Sequence, residues 1–246
     1  MIPNGLSRAI MGKRVAILQS NYIPWKGYFD MILRVDEFVL FDEVQFTRRD
    51  WRNRNKIKTA NGLLWLTIPV KQDDYHQKIS ETEISDDQWA SKHWKTISLN
   101  YARSPFFKTY KDMFGDFFHS ALPVKLSEVN RKAIELINEI LEVKTKITSS
   151  ADYTFAEGKN ERLISICRQA GASVYLSGPA AKEYVDESLF TNENISVEWM
   201  DYSGYKEYPQ LFPPFEHGVS VIDLIFNTGP EAIRFITQKE SAPYGK

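Results

Sequence analysis

The sequence predicts an α/β fold, with an open, mostly parallel sheet of Rossmann-like type and a helical elaboration. The first observation is a set of short apolar runs, such as VAIL before Gln19 and FVLF before Asp42. Continuous runs of this kind are typical of strands that are buried on both faces. The second observation is that segments with helical spacing of apolar residues alternate with these runs. Such alternation favours parallel strands connected by helices.

The predicted elements follow this alternation from the N-terminus. Residues 14–20 and 37–41 are predicted strands, and residues 27–34 form a short helix between them. A polar, basic loop comes next, and the Asn61-Gly62 turn signal predicts a hairpin-like strand over residues 62–70. The later elements are helices over 86–100, 106–120, 126–142 and 158–171, a strand over 173–177, a helix opened by a Gly-Pro turn at 178–179, a strand over 195–202 and a helix over 219–227.

A single domain is predicted over residues 12–246, because the chain has neither an internal repeat nor a low-complexity linker. Three consecutive helical segments at about 86–145 interrupt the alternation and form the helical elaboration. Met11 directly precedes the run GKRVAIL, which indicates that residues 1–11 are a loose N-terminal extension.

Composition and charge exclude several classes of protein. The 246 residues have a net charge of −1, so no strong overall field attracts nucleic acid or an anionic membrane. No apolar run is long enough to cross a bilayer, and the N-terminus lacks the pattern of a secretory signal. A single cysteine excludes an internal disulfide, and four scattered histidines predict no protein-bound metal. We therefore expect a cytoplasmic protein with no membrane span.

The stretch QSNYIPWKGYF follows the first predicted strand and opens the first helix. In open parallel sheets ligands bind where strands end at their carboxyl side, so this loop is a candidate ligand site. Its glycine allows close approach of a ligand to the backbone, and a helix N-terminus favours an anion. The alternative is a tight loop whose aromatic side chains only fill the top of the sheet. The candidate binding residues are Gln19, Asn21, Tyr22, Trp25, Gly27 and Tyr28.

A basic run with interleaved aromatic and amide residues follows the second strand. Asp42 ends that strand, at the same predicted sheet edge as the first loop, and Gln45 follows it. Guanidinium groups bind phosphate in a fork, which predicts a local phosphate pocket. A solvated charged loop and an RNA-binding surface are the alternatives, and the near-neutral chain argues against the RNA. The candidates from this run are Arg48, Arg49, Trp51, Asn53, Arg54 and Lys58.

Later segments add four candidates with two interpretations each. Ser177 and Gly178 end a strand and open a helix, so they form either a second ligand contact or a plain turn. Asp223 is a lone acid in an apolar helix, which indicates either a ligand amine or a buried structural partner. His217 is a candidate general base or a surface histidine.

Several motifs in order resemble the WbqC-like family over about residues 13–235. They are QSNYIPWKGYFDMI, FVLFDEVQF, RRDWRNRNKIK, LTIPVK, YLSGPAAKEYVD and VSVIDLIFNTG. The usual opening of that family is closer to Q-P-x-Y-x-P-W-x-G-Y-F, and Ser20 stands here where proline is common. The resemblance implies a place in bacterial O-antigen or surface-polysaccharide clusters, and transfer of an aminoacyl group to a sugar.

The first loop also resembles, in placement alone, the HxGH-bearing loop of HIGH-type nucleotidylyltransferases. Trp25 and Tyr28 would stand in that frame, and the histidines that steady phosphates there are missing from this chain. Arg48, Arg49 and Arg54 are candidates to replace them electrostatically.

These observations lead to a hypothesis of a transferase that forms an amide between an aminoacyl or acyl donor and a nucleotide-linked amino sugar. Asp42, Arg54 and His217 would be its catalytic residues. The cofactor is unknown: an acyl-adenylate route would require ATP with magnesium, and a coenzyme A or carrier donor would not. The expected partner is a small molecule, with no nucleic acid. The alternative is a non-catalytic nucleotide-sugar-binding protein of the same pathway. The oligomeric state stays open.

Overall fold

The computed structural model describes residues 12–237. The predicted extension at residues 1–11 lies outside this range. The chain divides into two compact units, which we describe one at a time. The sheet unit comprises the described parts of Met1–Leu18, Met31–Phe41 and Thr145–Tyr202, and the helical unit those of Gln19–Asp30, Asp42–Lys144 and Ser203–Lys246.

Strands and helices are assigned within the described range. The strands are β1 (Arg14–Leu18), β2 (Glu37–Leu40), β3 (Arg54–Thr59), β4 (Gly62–Thr67), β5 (Lys146–Ser149), β6 (Val174–Ser177) and β7 (Ser196–Trp199). The α-helices are α1 (Lys26–Leu33), α2 (Trp89–Tyr101), α3 (Phe107–His119), α4 (Leu126–Ile140), α5 (Lys159–Gln169), α6 (Glu187–Asn192), α7 (Val221–Thr228) and α8 (Ile233–Ile236). Short 3-10 helices cover Ile79–Glu81, Ser150–Asp152, Pro179–Glu183 and Gly229–Glu231.

The sheet unit has five strands in the order β5-β2-β1-β6-β7. All four pairings between neighbours are parallel. This arrangement confirms the predicted open, mostly parallel sheet. The central strands β1 and β2 bury the apolar runs that predicted them, because both of their edges and both of their faces are covered.

Strand β5 was not among the predicted elements. Its sequence, KITS, has one buried residue, Thr148, and it lies at the edge of the sheet with one neighbouring strand. An edge strand that buries so little apolar surface leaves no hydrophobic run in the sequence.

Glu37 is a buried carboxylate at the start of β2 that binds several donors in the sheet unit. It is 1% exposed. Its carboxylate accepts hydrogen bonds from Lys13 Nζ at 2.7 Å, Thr148 Oγ1 at 2.9 Å, Lys146 Nζ at 3.2 Å and Tyr153 OH. Burial acts to raise the pKa of Glu37, but these hydrogen bonds outweigh it and lower the pKa to about 2.

We expect Glu37→Gln to destabilise the protein by about 2 kcal/mol at pH 7, since charged hydrogen bonds are lost in a buried setting. Because the folded pKa is depressed, this stabilisation is complete above the unfolded pKa of about 4.3 and is lost as the pH falls toward about 2. Urea unfolding of both proteins at several pH values measures it. A difference in free energy of unfolding that stays constant down to pH ~2 would contradict the assignment.

The helical unit contains α2, α3, α4, α7 and α8 together with the antiparallel hairpin of β3 and β4. The helices predicted over 86–100, 106–120 and 126–142 are present as α2, α3 and α4. Residues of the predicted basic loop instead form β3, which pairs with the predicted hairpin strand. Aromatic rings from α2 and α3 surround Phe226 of α7: Tyr101, Phe107 and Phe114 lie 5.4, 5.1 and 5.2 Å from it between centroids. No helix within residues 12–237 is both long and apolar enough to cross a membrane.

Candidate functional site

Polar residues of the first loop form one hydrogen-bonded network in the helical unit. The backbone N–H of Ser20 donates to Asp42 Oδ1 at 2.8 Å. Asn130, on α4, donates from Nδ2 to Ser20 Oγ at 3.0 Å and to the backbone oxygen of Arg52 at 2.8 Å. The network therefore holds the first loop, the end of the second predicted strand and the basic run together.

The Arg52 guanidinium completes this network. It donates to Asn21 Oδ1, and to Gln19 Oε1 at 3.2 Å, and it lies 3.6 Å from a carboxylate oxygen of Asp50. Gln19, Asn21 and Asp42 thus belong to one network, which is completed by Arg52, an arginine outside the candidate set. Arg54, a candidate from the same sheet edge, donates to the backbone oxygen of Arg49 instead. Burial raises the pKa of Asp42, and hydrogen bonds from Ser20 oppose that shift.

Two tyrosines of the first loop lie in the interior. Tyr22 is fully buried, and its hydroxyl lies 2.8 Å from Nδ1 of His93. Tyr28 is 2% exposed and donates from its hydroxyl to the backbone oxygen of Gln19 at 3.1 Å. Both rings support the loop from inside, which corresponds to the packing alternative.

Gly27 is explained by the indole of Trp25. A Cβ added at Gly27 would lie 2.3 Å from a carbon of that ring, closer than two carbons approach without displacement. The Trp25 ring in turn contacts Tyr205 edge-on, with centroids 5.9 Å apart. The PWKG sequence therefore folds an aromatic ring back over its own glycine.

We expect Gly27→Ala to cost about 1–3 kcal/mol, because the new methyl group displaces the Trp25 ring from its contact with Tyr205. The matched control is Gly115→Ala in α3, where a Cβ would meet Trp94 at an ordinary 3.4 Å. A glycine-to-alanine change inside a helix is otherwise stabilising by about 0.5–1 kcal/mol. Thermal unfolding of both variants measures the contrast. Equal melting temperatures for the two variants would refute the packing account of Gly27.

Lys26 lies between the tryptophan and glycine of that motif and is buried, with 2% exposed. Its Nζ donates to the backbone oxygen of Lys206 at 3.0 Å. The ammonium also lies 5.2 to 5.7 Å from the centroids of three rings, those of Tyr205, Tyr208 and Phe215. Burial lowers the pKa of Lys26 to about 8, and the charge of Glu207 opposes this shift. Sequence reasoning missed Lys26, although its place between two selected residues was a signal.

His217 lies beside this lysine, in the loop that precedes α7. Its ring contacts Phe215 edge-on at 4.6 Å between centroids, and its Nδ1 is buried without a hydrogen-bond partner. Burial and the positive charge of Lys26 lower the pKa of His217, and the charges of Glu207 and Glu216 oppose this. At neutral pH the imidazole is therefore mainly uncharged, which is the form that accepts a proton.

Asp223 is completely buried in the first turn of α7. Its Oδ2 accepts from Tyr101 OH at 2.8 Å, and its Oδ1 accepts from Tyr208 OH at 2.7 Å and Gln210 Nε2 at 2.9 Å. Burial raises the pKa of Asp223, and these hydrogen bonds oppose the shift. Both oxygens thus bind side chains of the helical unit, which corresponds to the structural alternative.

Lys58 is also buried and anchors the same region. It is 4% exposed, and its Nζ donates to the backbone oxygen of Pro214. Its backbone N–H donates to Tyr101 OH at 3.1 Å, so that hydroxyl must give its own proton to Asp223. The strand β3 is therefore tied to the loop before α7 and to the Asp223 network.

Three arginines of the basic run surround a cavity that we call the arginine pocket. It has a volume of about 510 Å³ and is lined by Phe46, Arg48, Arg49, Asn53, Arg54, Thr67, Ile68, Pro69, Val70 and Gln72. Asn53 is fixed there because its Nδ2 donates to the backbone oxygen of Ile68 at 2.8 Å. Arg54 donates to the backbone oxygen of Arg49. No carboxylate of residues 12–237 forms an ion pair with Arg48, Arg49 or Arg54.

A second cavity adjoins the arginine pocket and shares Phe46, Arg48 and Gln72 with it. It has a volume of about 640 Å³ and adds Gln45, Thr47, Asp73, Asp74 and Tyr75, so we call it the acidic pocket. Arg48 Nε donates to Gln72 Oε1 at 2.5 Å where the two cavities meet. Gln45 Nε2 donates to the backbone oxygen of Tyr75 at 2.6 Å. The two cavities thus offer a cationic and an acidic wall side by side.

Trp51 and Arg54 both lie against Trp65 of the hairpin. The Arg54 guanidinium lies 4.1 Å from the Trp65 ring centroid, and the Trp51 and Trp65 rings are 5.4 Å apart. Within the described range, no hydrogen bond or ion pair joins the three proposed catalytic residues Asp42, Arg54 and His217 to one another.

Ser177 and Gly178 belong to the sheet unit. Ser177 is 4% exposed and donates from Oγ to the hydroxyl of Tyr175 at 3.1 Å. Gly178 precedes the 3-10 helix Pro179–Glu183 as its N-cap. Cys167 is buried in α5, and burial raises the pKa of its thiol to about 12, so the thiolate is scarce at neutral pH. Across residues 12–237, no three His, Cys, Asp or Glu side chains are grouped closely enough to hold a metal ion.

Comparison with known proteins identifies one family and one relative. A model of the WbqC-like protein family matches residues 19–235. The chain is 48% identical over 221 residues to a protein of Mycobacterium tuberculosis (strain ATCC 25618 / H37Rv) with the name uncharacterized protein Rv1507c. That alignment covers 89% of this chain and 96% of the mycobacterial protein. No solved structure matches the chain.

Proposed function

Because the chain belongs to the WbqC-like protein family, we propose that it is a transferase acting on a nucleotide-linked amino sugar. Family membership suggests a role in a pathway related to surface polysaccharides. The proposed reaction forms an amide between the sugar amine and an acyl or aminoacyl donor. The observation that carries this proposal is the arginine pocket, where three guanidinium groups form no ion pair with a carboxylate of residues 12–237. An acid of the same run, Asp50, pairs with Arg52; burial acts to raise its pKa, and the charges of Arg52 and Arg54 are among the influences that lower it.

The arginine pocket suits the diphosphate of a nucleotide sugar. Planar guanidinium groups bind phosphate oxygens through paired N–H donors, and their charge is available when no carboxylate neutralises it. Arg48 and Arg49 are both exposed and line the pocket, and Arg54 adds a third charge from β3. In this account they hold the diphosphate, and Arg54 also stabilises negative charge that develops during the reaction.

The acidic pocket suits the amino sugar itself. Asp73 and Asp74 line it, and their carboxylates attract an ammonium group and accept hydrogen bonds from sugar hydroxyls. Arg48 lines both cavities, so a ligand that fills both would have its negative and positive ends on walls of opposite charge. This complementarity supports a nucleotide-linked amino sugar over a neutral sugar.

The proposed chemistry is nucleophilic acyl substitution. The sugar amine, as its neutral form, attacks the acyl carbon and forms the new C–N bond. The bond from the acyl carbon to the leaving group breaks, and the leaving group departs with the electron pair. A general base takes the proton that the nitrogen loses. His217 is our candidate base because its imidazole is mainly neutral near pH 7, and Asp42 is the second candidate.

A product assay tests the proposal. The purified protein is incubated with a uridine-diphosphate-linked amino sugar and one donor at a time, either acetyl coenzyme A or glycine with ATP and magnesium. We expect mass spectrometry to detect the amide of the sugar with one donor. We expect His217→Ala to lower the rate by about a hundredfold or more, as loss of a general base does.

Arg131→Ala is the matched control for nonspecific effects of substitution, because Arg131 is a partly exposed arginine of α4 outside both pockets, and among residues 12–237 its ion pair is with Glu135. Its rate should equal that of the wild type. Binding of the nucleotide sugar without product from any donor would instead favour a non-catalytic binding protein of the pathway. Absence of both binding and product would refute the nucleotide-sugar proposal altogether.

A further inference from the structure

We propose that the end of the β3–β4 hairpin is a membrane-docking surface for bilayers that contain acidic lipids. In this proposal Leu63, Leu64 and Trp65 enter the interfacial layer, while neighbouring cations lie among the headgroups. The proposal concerns where the protein works, and it shares one residue, Arg54, with the arginine pocket of the reaction proposed above.

The apolar side chains at this hairpin end are exposed without interruption. Residues 60–65 are all exposed, and Leu63, Leu64 and Trp65 keep 43%, 40% and 41% of their surface accessible. With Trp51, which is 41% exposed and whose ring lies beside that of Trp65, they make up half of the large exposed apolar side chains of residues 12–237. Such clusters mark protein or membrane interaction sites in soluble proteins.

The exposed apolar side chains lie on both faces of β4, which favours a bilayer over a protein partner as the occupant. Successive side chains of a strand point to opposite faces, so Leu64 lies on one face and Leu63 and Trp65 lie on the other. All three are exposed, and a flat protein partner would cover only one face. A bilayer interface surrounds a hairpin end that inserts into it, and it therefore covers both.

The same hairpin carries cationic side chains, which attract acidic lipid headgroups. The Arg54 guanidinium lies over the Trp65 ring, and Lys56 Nζ lies 5.8 Å from the Trp51 centroid and 5.7 Å from that of Trp65. The charged groups themselves thus lie over the indole rings, which places the cations beside the side chains that would insert. Tryptophan and basic residues are also the residue types that concentrate at membrane interfaces.

These cations have no carboxylate in ion-pair distance among the described residues. Of the acids nearby, Asp50 pairs with Arg52 and also lies within electrostatic reach of Arg54, and Glu216 Oε1 accepts from the backbone N–H of Gly218 at 2.7 Å. Two acids face the four cations Arg52, Arg54, Lys56 and Lys58. The hairpin is thus locally positive although the whole chain has a net charge of −1. The attraction is therefore confined to this surface and depends on acidic lipid.

The same charges disfavour a second copy of the chain as the occupant. A twofold contact brings the same patch of both copies together, so the cations of one copy would face those of the other. Like charges in such an interface oppose association. Acidic lipid removes this conflict, because it supplies the counter-charge as well as the apolar layer.

Vesicle cosedimentation tests the proposal with the full chain. The vesicles are phosphatidylcholine alone, or equal parts of phosphatidylcholine and phosphatidylglycerol. We expect the wild type to bind the acidic vesicles, and much less the neutral ones. In the double variant Leu63→Ser/Leu64→Ser we expect the partition coefficient to fall about tenfold or more, because two apolar side chains no longer insert.

Leu99→Ser is the matched control, because Leu99 is a leucine of α2 that is 72% exposed outside the hairpin. It should bind vesicles as the wild type does, and circular dichroism should show all three proteins folded at the temperature of the assay, since the replaced side chains lie at the surface. The proposal is overturned if the wild type does not bind acidic vesicles at low salt, or if the double variant binds as well as the wild type. A dimer in light scattering that the double variant abolishes would also overturn it, because a second copy would then cover the hairpin.

Discussion

Replacing Asp223 by alanine is expected to lower the free energy of unfolding by about 3–5 kcal/mol, as the loss of one partner from a buried polar network does. The substitution leaves the hydroxyls of Tyr101 and Tyr208 buried without the carboxylate that accepts from them. Gln210 loses one of three acceptors and still donates to the backbone oxygen of Glu216 and to Tyr208 OH. Tyr101 OH accepts the backbone N–H of Lys58 and donates its own proton to Asp223. In the variant that proton therefore loses its acceptor. Urea unfolding followed by circular dichroism measures the effect.

Two further variants distinguish the loss of the Asp223 hydrogen bonds from the effect of replacing any aspartate. Asp223→Asn should cost nearly as much, because one oxygen becomes an NH₂ group that faces a hydroxyl donor. Asp116→Ala, at an exposed site of α3, should change stability by less than about 0.5 kcal/mol. If Asp223→Ala were as stable as Asp116→Ala, the structural role of the carboxylate would be refuted, and the ligand-amine alternative would become the better explanation.

Replacing Lys26 by methionine is expected to stabilise the protein by about 1–2 kcal/mol at pH 7, since a charge leaves a buried aromatic site. The folded pKa of about 8 lies below the usual value of 10.5, so the unfolded chain binds more protons between these pH values. The wild type should therefore gain stability as the pH rises from about 8 to about 10, and Lys26→Met should lose that dependence. Urea unfolding of both proteins at several pH values measures this.

The control for this variant is Lys95→Met at an exposed site of α2. It should leave the pH dependence between 8 and 10 unchanged. A wild type whose stability does not rise over that interval, or a Lys26→Met protein that is clearly less stable at pH 7, would contradict the buried-charge account.

If Lys26→Met is more stable than the wild type, the wild-type lysine does not serve folding and must have another role. The positive charge of Lys26 lowers the pKa of His217, so it helps to keep that imidazole neutral. If His217 is the general base, Lys26→Met should move the acidic limb of the pH–rate profile to higher pH. Lys26 would then act through His217, by lowering the pKa of its imidazole.

The sheet could be predicted from the sequence because its central strands carry continuous apolar runs. The runs in β1 and β2 are buried on both faces, as the strands of a parallel sheet are. Strand β5 could not be predicted, because an edge strand with one buried threonine has no such run. Strand β3 could not be predicted either, since its alternating cations look like a solvated loop.

The functional site stays a prediction, but the contacts of its candidate residues can be compared with the sequence. Gln19, Asn21 and Asp42 were selected because residues after parallel strands meet at one edge, and one hydrogen-bonded network contains all three. Arg52 and Lys26 were missed because a sequence does not say which basic side chain turns inward. The burial of Lys26 depends on three rings of a loop about 180 residues away in the chain, and such a contact exists only in the folded protein.

The measurement that tests the central claim most directly is calorimetric titration of a uridine-diphosphate-linked amino sugar into the wild type, Arg49→Ala and Arg131→Ala. Arg49 is preferred over Arg54, since its side chain is exposed while that of Arg54 packs on Trp65. We predict that Arg49→Ala weakens binding about 10- to 100-fold, as loss of a charged hydrogen bond to phosphate does, while Arg131→Ala binds as the wild type. Equal affinities in all three proteins would contradict the account, because the arginine pocket would then not hold the diphosphate.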